Sequence, residues 1–216
     1  MNPKTEVLAM DLVGVVGGAN FNIQGKSFAE RRFNTVYKQQ FDFSCGSAAL
    51  ASLLTFHYDD VVDEQSVFID MYQHGDQEKI KREGFSMLDM KRYLERRGYR
   101  SDGFKINLDQ LFSTGNPAIT IINHNGYMHF VIIKGVDTYR VLLGDPALGV
   151  KSIRRSEFEE MWENRILFLI HDNRDPVISY QKINDEWIGR ISPLDEAVSQ
   201  TSLGVYNVLR PGPWDF

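Results

Sequence analysis

Residues 39–50 read Gln39-Gln40-Phe41-Asp42-Phe43-Ser44-Cys45-Gly46-Ser47-Ala48-Ala49-Leu50, and they hold the only cysteine of the chain. Small, helix-favouring residues follow the cysteine at once. Ala48, Ala49, Leu50, Leu53 and Leu54 keep helical apolar spacing to about Tyr58. Ser44 is a residue that can cap such a helix. A thiol at a helix N-terminus faces unpaired amides and the positive end of the dipole, which favour thiolate over thiol. The stretch therefore predicts a helix that opens on a reactive group.

Downstream, residues 63–72 predict a second helix with Val67, Phe68 and Met71 on one face. Residues 86–97 predict a third, with Ser86 and Asp89 as a capping-box start and Gly98 as its stop. After Gly98 the period changes. Residues 117–122, 129–136, 139–143, 150–153 and 166–170 read as short strands, with a helical turn or two at 156–162. Helices first and an antiparallel meander second is an α+β layout, N-terminal helices packed on an antiparallel β-sheet. The chain divides into an N-terminal arm (1–27), one main domain (28–173) and a C-terminal extension (174–216). The arm is rich in Gly and Asn, and the extension is short of long apolar runs.

The strand pattern locates a partner for the thiol. His129 opens an apolar strand, and Asp145 ends the next one. A turn near residues 137–138 returns the second strand beside the first, which sets Asp145 next to His129. An imidazole beside a thiol forms a thiolate–imidazolium pair, and an acid orients the ring and fixes its tautomer. The Cys45 N–H and the Gln39 side-chain amide are candidates for an oxyanion hole. His124, in the loop before the strand, is the reserve base. His57, His74, His124 and His171 have no metal-type spacing with Cys45 or with one another, so neither metal nor other cofactor is expected. No phosphate-binding Gly pattern is present.

Bulk properties narrow the partners. A chain of 216 residues, 43% hydrophobic, suits one globular domain with an appendage. A net charge of −5 argues against nucleic acid or an anionic membrane as the main partner. No apolar run approaches the ~18 residues of a membrane span, so no stable membrane insertion is expected. One cysteine forbids an intramolecular disulfide. Lys4 is the one early base, and Asp11 and Gly14 interrupt the apolar stretch 8–16, so the N-terminus does not read as a secretory signal. That leaves a cytoplasmic protein, or an exported one whose signal lies outside this sequence.

The pattern Gln39-x5-Cys45-Gly46-x-Ala48-x-Leu50, then His129-Phe130-Val131-Ile132, then Asp145-Pro146, resembles the bacteriocin-processing, double-glycine peptidases. These are papain-like domains best known as N-terminal parts of ABC exporters. The resemblance spans about residues 35–172. It implies a papain-like cysteine peptidase with Cys45 as nucleophile, His129 as base, Asp145 as orienting acid and Gln39 as oxyanion donor. Gln40 is adjacent, and the offset to Cys45 favours Gln39. The sequence departs from the exporter pattern, with no transporter following and residues 174–216 as an addition. Gln39 to Gly46 is similar to standalone members that accompany bacterial functional-amyloid (Fap-type) secretion systems, which implies a periplasmic protein acting on a protein or peptide of such a system. Family substrates are cut after Gly-Gly, with apolar residues at fixed distances before the cut. Gly17-Gly18 is preceded by Val15, Leu12 and Val7, fourth, seventh and twelfth back from the cut. The resemblance thus makes the arm a candidate occupant of the protein's own groove, or of another copy's.

Two other functions compete with an endopeptidase that cuts after small residues. One is a catalytically silent module that binds a leader or secretion partner, for which an intact thiol, imidazole and carboxylate have no use. The other is a thiol acyl-transferase or amidase, which shares the acyl-enzyme and differs in the acceptor.

Overall fold

A computed structural model describes residues 28–41, 43–124, 126–172, 176 and 187. The proposed arm at 1–27 and nearly all of the extension at 174–216 lie outside the described residues. The elements run α1 (Phe28–Arg31), α2 (Cys45–His57), α3 (Glu64–His74), α4 (Gln77–Glu83), α5 (Met87–Arg96), β1 (Ser101–Phe104), α6 (Leu108–Thr114), β2 (Ala118–His124), β3 (Tyr127–Val136), β4 (Arg140–Asp145), β5 (Gly149–Arg154), α7 (Arg155–Met161) and β6 (Leu167–Ile170). This is the expected α+β architecture. Four elements were not foreseen: the short α1, α4, β1 and α6.

Helix α2 is buried along its length except at Thr55 and Phe56. A helix that is apolar all round belongs in a core rather than on a surface, and Leu50, Leu53 and Leu54 are fully buried. Truncating any one of them to Ala would cost about 2–5 kcal/mol. Gly46 is closely packed, since a Cβ there would lie 3.0 Å from Met90 Cε and 3.1 Å from Phe85 Cβ. Helix α5 starts with the foreseen Ser86–Asp89 capping box and buries Met90, Tyr93 and Leu94. Helix α3 is capped by the Asp63 side chain, which accepts from the Ser66 N–H.

One six-stranded antiparallel sheet has the order β1-β6-β2-β3-β4-β5. β2 to β5 form the predicted meander, and β6 returns to sit between β1 and β2. The sheet is covered on both faces. Phe130 and Ile132 of β3, Leu142 of β4 and Phe168 and Ile170 of β6 pack with α2, α3 and α5. Their neighbours Val131, Ile133, Val141, Leu143, Leu167 and Leu169 pack with α6 and α7. That is the period of two of a strand. Because both faces are buried, the strands read as continuous apolar runs instead of alternating ones. Trp187, from the extension, packs partly buried on the first of these cores.

Candidate active site

The structure brings Cys45, His129 and Asp145 together. Cys45 is the first residue of α2 and is 8% exposed. His129 lies near the start of β3 and is 5% exposed, and Asp145 ends β4 and is 2% exposed. The β3–β4 register pairs Ile132 with Gly144, which sets Asp145 diagonally across from His129. His129 Nε2 donates to Asp145 Oδ1 at 2.8 Å. The other ring nitrogen, Nδ1, is buried. Cys45 acts on the ring by hydrogen bonding and by charge.

The electrostatics favour a charged ring. Burial works against the imidazolium, but the bonds to Asp145 and Cys45 and their charges outweigh it and raise His129 to about 9. Burial also works against the Asp145 carboxylate. The His129 hydrogen bond and charge, then Lys151 and the Ala147 amide, overcome it and lower Asp145 to about 2. The carboxylate is held in place by the turn that follows it. Its Oδ1 accepts from Ala147 N–H at 2.9 Å and Leu148 N–H at 3.2 Å, while Lys151 Nζ stands 3.1 Å from Oδ2. Lys151 was not foreseen. The signal was a second hairpin: Asp145 pairs Gly149 and Leu143 pairs Lys151, so Lys151 returns along β5 to the acid.

The residues before Cys45 form a tight turn. Ser44 is at the N-cap position, but its φ of −97° and ψ of 10° lie outside the extended region a side-chain cap uses, and it makes no cap bond. The expected cap is therefore absent. Its hydroxyl closes the turn instead, accepting from Phe41 N–H at 3.1 Å and bonding Glu64 Oε1 at 2.6 Å. The first-turn amides of α2 are thus left without that capping partner. The Gln39 backbone N–H donates to Pro146 O at 2.9 Å, which ties this turn to the Asp145 corner. The Gln39 side-chain Nε2 donates to Phe41 O at 3.2 Å, and no bond joins it to Cys45 or His129. Gln40 lines a separate cavity of about 230 Å³ with Phe41, Phe68 and Ile69. His124 is exposed at the end of β2 and takes no part in the site.

A cleft of about 320 Å³ opens over Cys45 and His129. Phe43 and Phe85 line it together with Tyr127 and Met128, and Lys81 and Arg82 reach it from α4. The Tyr127 ring stacks on His129 with centroids 6.0 Å apart. Tyr127 shares a strand face with His129 two residues on, a relation open to reading in the sequence. Among the described residues no cluster of three or more His, Cys, Asp or Glu side chains could hold a metal ion, and no helix is long and apolar enough to cross a membrane.

A thiol at a helix start, an imidazole buried beside it and a carboxylate fixing the ring define a papain-like thiol hydrolase. Residues 33–174 match the Peptidase C39 family. The chain belongs to that family and is a cysteine peptidase. It is similar to two proteins named "Probable functional amyloid protease FapD". One, from Pseudomonas aeruginosa, is 39% identical over 81% of this chain and 79% of the relative. The other, from Pseudomonas fluorescens, is 41% identical over 74% of this chain and 71% of the relative. Among solved structures, a double glycine motif protease from an AMS/PCAT transporter, in complex with its leader peptide, superposes with a TM-score of 0.52. It is 25% identical and covers 66% of this chain and 91% of its own.

Proposed function

We propose that Cys45, His129 and Asp145 form the catalytic triad of an endopeptidase that cuts a secretion-related polypeptide after a Gly-Gly pair. The observation that carries this reading is the buried His129–Asp145 bond of 2.8 Å with Cys45 beside the ring. The Cys45 thiolate attacks the scissile carbonyl carbon, forming a sulfur–carbon bond as the carbonyl electron pair moves to oxygen. The Cys45 N–H and a second N–H of Gln39 Nε2 donate hydrogen bonds to that oxyanion. As the oxyanion's electron pair returns to the carbonyl, the carbon–nitrogen bond breaks and charged His129 gives its proton to the leaving amine. A water deprotonated by His129 then bonds to the acyl carbon, the carbon–sulfur bond breaks, and the Cys45 thiolate and charged His129 are regenerated. Asp145 stays ionised and keeps the ring turned.

The cleft and the relatives support this substrate class. Aromatic and apolar side chains crowd the approach to Cys45, so a backbone bare of side chains at the cut reaches the sulfur most easily. A solved relative holds a leader peptide, and the named relatives are functional amyloid proteases. This chain accordingly acts on a protein of a functional-amyloid secretion system, in the periplasm. Its own Gly17-Gly18, outside the described residues, is a second substrate, in cis or in trans.

Intact-mass spectrometry after brief exposure to limiting iodoacetamide across pH 4–9 tests the triad. Native protein labels quickly well below the ordinary thiol pKa of about 8.5, and His129→Ala does not. Slow labelling of both would end the catalytic reading. Mass analysis of wild type and Cys45→Ala tests the arm. A chain intact in both, with activity unchanged on deleting residues 1–18, removes self-processing.

A further inference from the structure

Glu64 is a charged residue in a place that normally excludes charge. It opens α3, is only 5% exposed, and makes no salt bridge among the described residues. A carboxylate buried without a cation is costly unless hydrogen bonds hold it. Its Oε1 takes two, from the Ser44 hydroxyl at 2.6 Å and from the Gln40 N–H at 3.3 Å. Both donors sit in the turn that leads into Cys45.

A continuous chain of bonds runs on from there. Phe41 N–H donates to the Ser44 hydroxyl at 3.1 Å. Phe41 O accepts from the Ser44 N–H at 3.1 Å and from Gln39 Nε2 at 3.2 Å. Glu64 therefore grips, through Ser44 and Phe41, the Gln39 amide assigned above to the oxyanion. Its bond also turns the Ser44 hydroxyl toward Glu64, and that hydroxyl makes no cap bond to the first-turn amides of α2.

We infer that Glu64 is a positioning residue that builds the oxyanion hole, acting through Ser44 and Phe41 on Gln39 and on the amides that open α2. The inference rests on the proposed role of Cys45 as nucleophile. It separates two properties of the site. Attack on a carbonyl pushes an electron pair onto oxygen and needs the hole. Alkylation by iodoacetamide displaces iodide at a saturated carbon and does not.

The experiment compares these reactions in wild type, Glu64→Ala, Glu64→Gln and Ser44→Ala. The probes are iodoacetamide, read by intact mass from pH 5 to 9, and a peptide aldehyde ending in Gly-Gly, read by its protection of Cys45 from labelling. The aldehyde adds the sulfur at its carbonyl carbon and leaves the charge on oxygen. Glu64→Ala is expected to weaken aldehyde protection about tenfold or more, with the labelling rate and its pH profile held within about threefold. Glu64→Gln restores protection, because the amide oxygen accepts the same two bonds. Ser44→Ala weakens protection to a lesser degree, and it decides the matter if Glu64→Ala does not fold. Protection within about twofold of wild type in both Glu64→Ala and Ser44→Ala overturns the inference. So does a parallel fall of labelling and protection, which marks a merely structural residue. A wild-type Cys45 that labels quickly yet ignores the aldehyde instead removes the peptidase reading beneath it.

Discussion

Among the described residues two His–Asp pairs have the same separation. His129 Nε2 and Asp145 Oδ1 are 2.8 Å apart, and so are His171 Nε2 and Asp102 Oδ2. The first pair is 6% and 2% exposed at its side chains, the second 39% and 44%. Water screens the exposed pair, and Asp102 is lowered first by Lys91 and only then by His171. In the buried pair each partner is the other's main compensation for lost hydration, and Asp145 has two turn amides and Lys151 besides. Equal distance thus carries unequal meaning. Burial, and a thiol close to the ring, set apart the one of the two similar contacts that is proposed above as catalytic.

Removing the ring should have the largest effect. His129→Ala is expected to lower the rate of peptide-bond cleavage about ten-thousand-fold and to abolish fast labelling of Cys45 at acid pH. Asp145→Asn keeps the shape and loses the charge. It should lower turnover about a hundred- to a thousand-fold in steady-state assays, and Asp102→Asn in the same assay should stay within about twofold of wild type. A large loss in Asp102→Asn would break the comparison.

Stability against pH sharpens it. His129 is raised from 6.5 to about 9, so its contribution is full below 6.5 and disappears as pH rises through about 9. Asp145 is lowered from 3.8 to about 2, so its contribution is present above 3.8 and disappears as pH falls through about 2. Denaturant unfolding of wild type and Asp145→Asn should therefore differ most, by about 2–4 kcal/mol, on a plateau between these limits, and converge on both sides. A constant offset with no plateau would contradict the pairing. The smallest effect belongs to Lys151→Met. Asp145 loses its second cation, so the acid edge of the wild-type curve should move to higher pH, with turnover within about threefold.

Legibility in the sequence followed how local each cause was. The helix opening on Cys45 and the Ser86–Asp89 box are set within a few residues, and both were readable. Asp145 was placed beside His129 because a hairpin is nearly local. β1 was missed because its Ser101–Phe104 segment contains a glycine and becomes a strand only by pairing with β6, far along the chain. α4 was missed because Ile80 is its only buried residue and gives no period. α6 carried signals that went unread, an Asn107–Gln110 capping box and Gly115 in the left-handed region at its end. Glu64 was invisible as a buried charge, since its partners lie on another element.

The return of β6 to a place between β1 and β2 has a consequence in time. The strand that carries His129 is paired on both sides within the meander, but β2 has no second neighbour until residues 167–170 have been made. Cys45 is synthesised long before. A growing chain of this protein therefore carries Cys45 for most of its production before the sheet is complete. The sheet that carries His129 and Asp145 is closed at its β2 side only when β6, the last strand among the described residues, has been made.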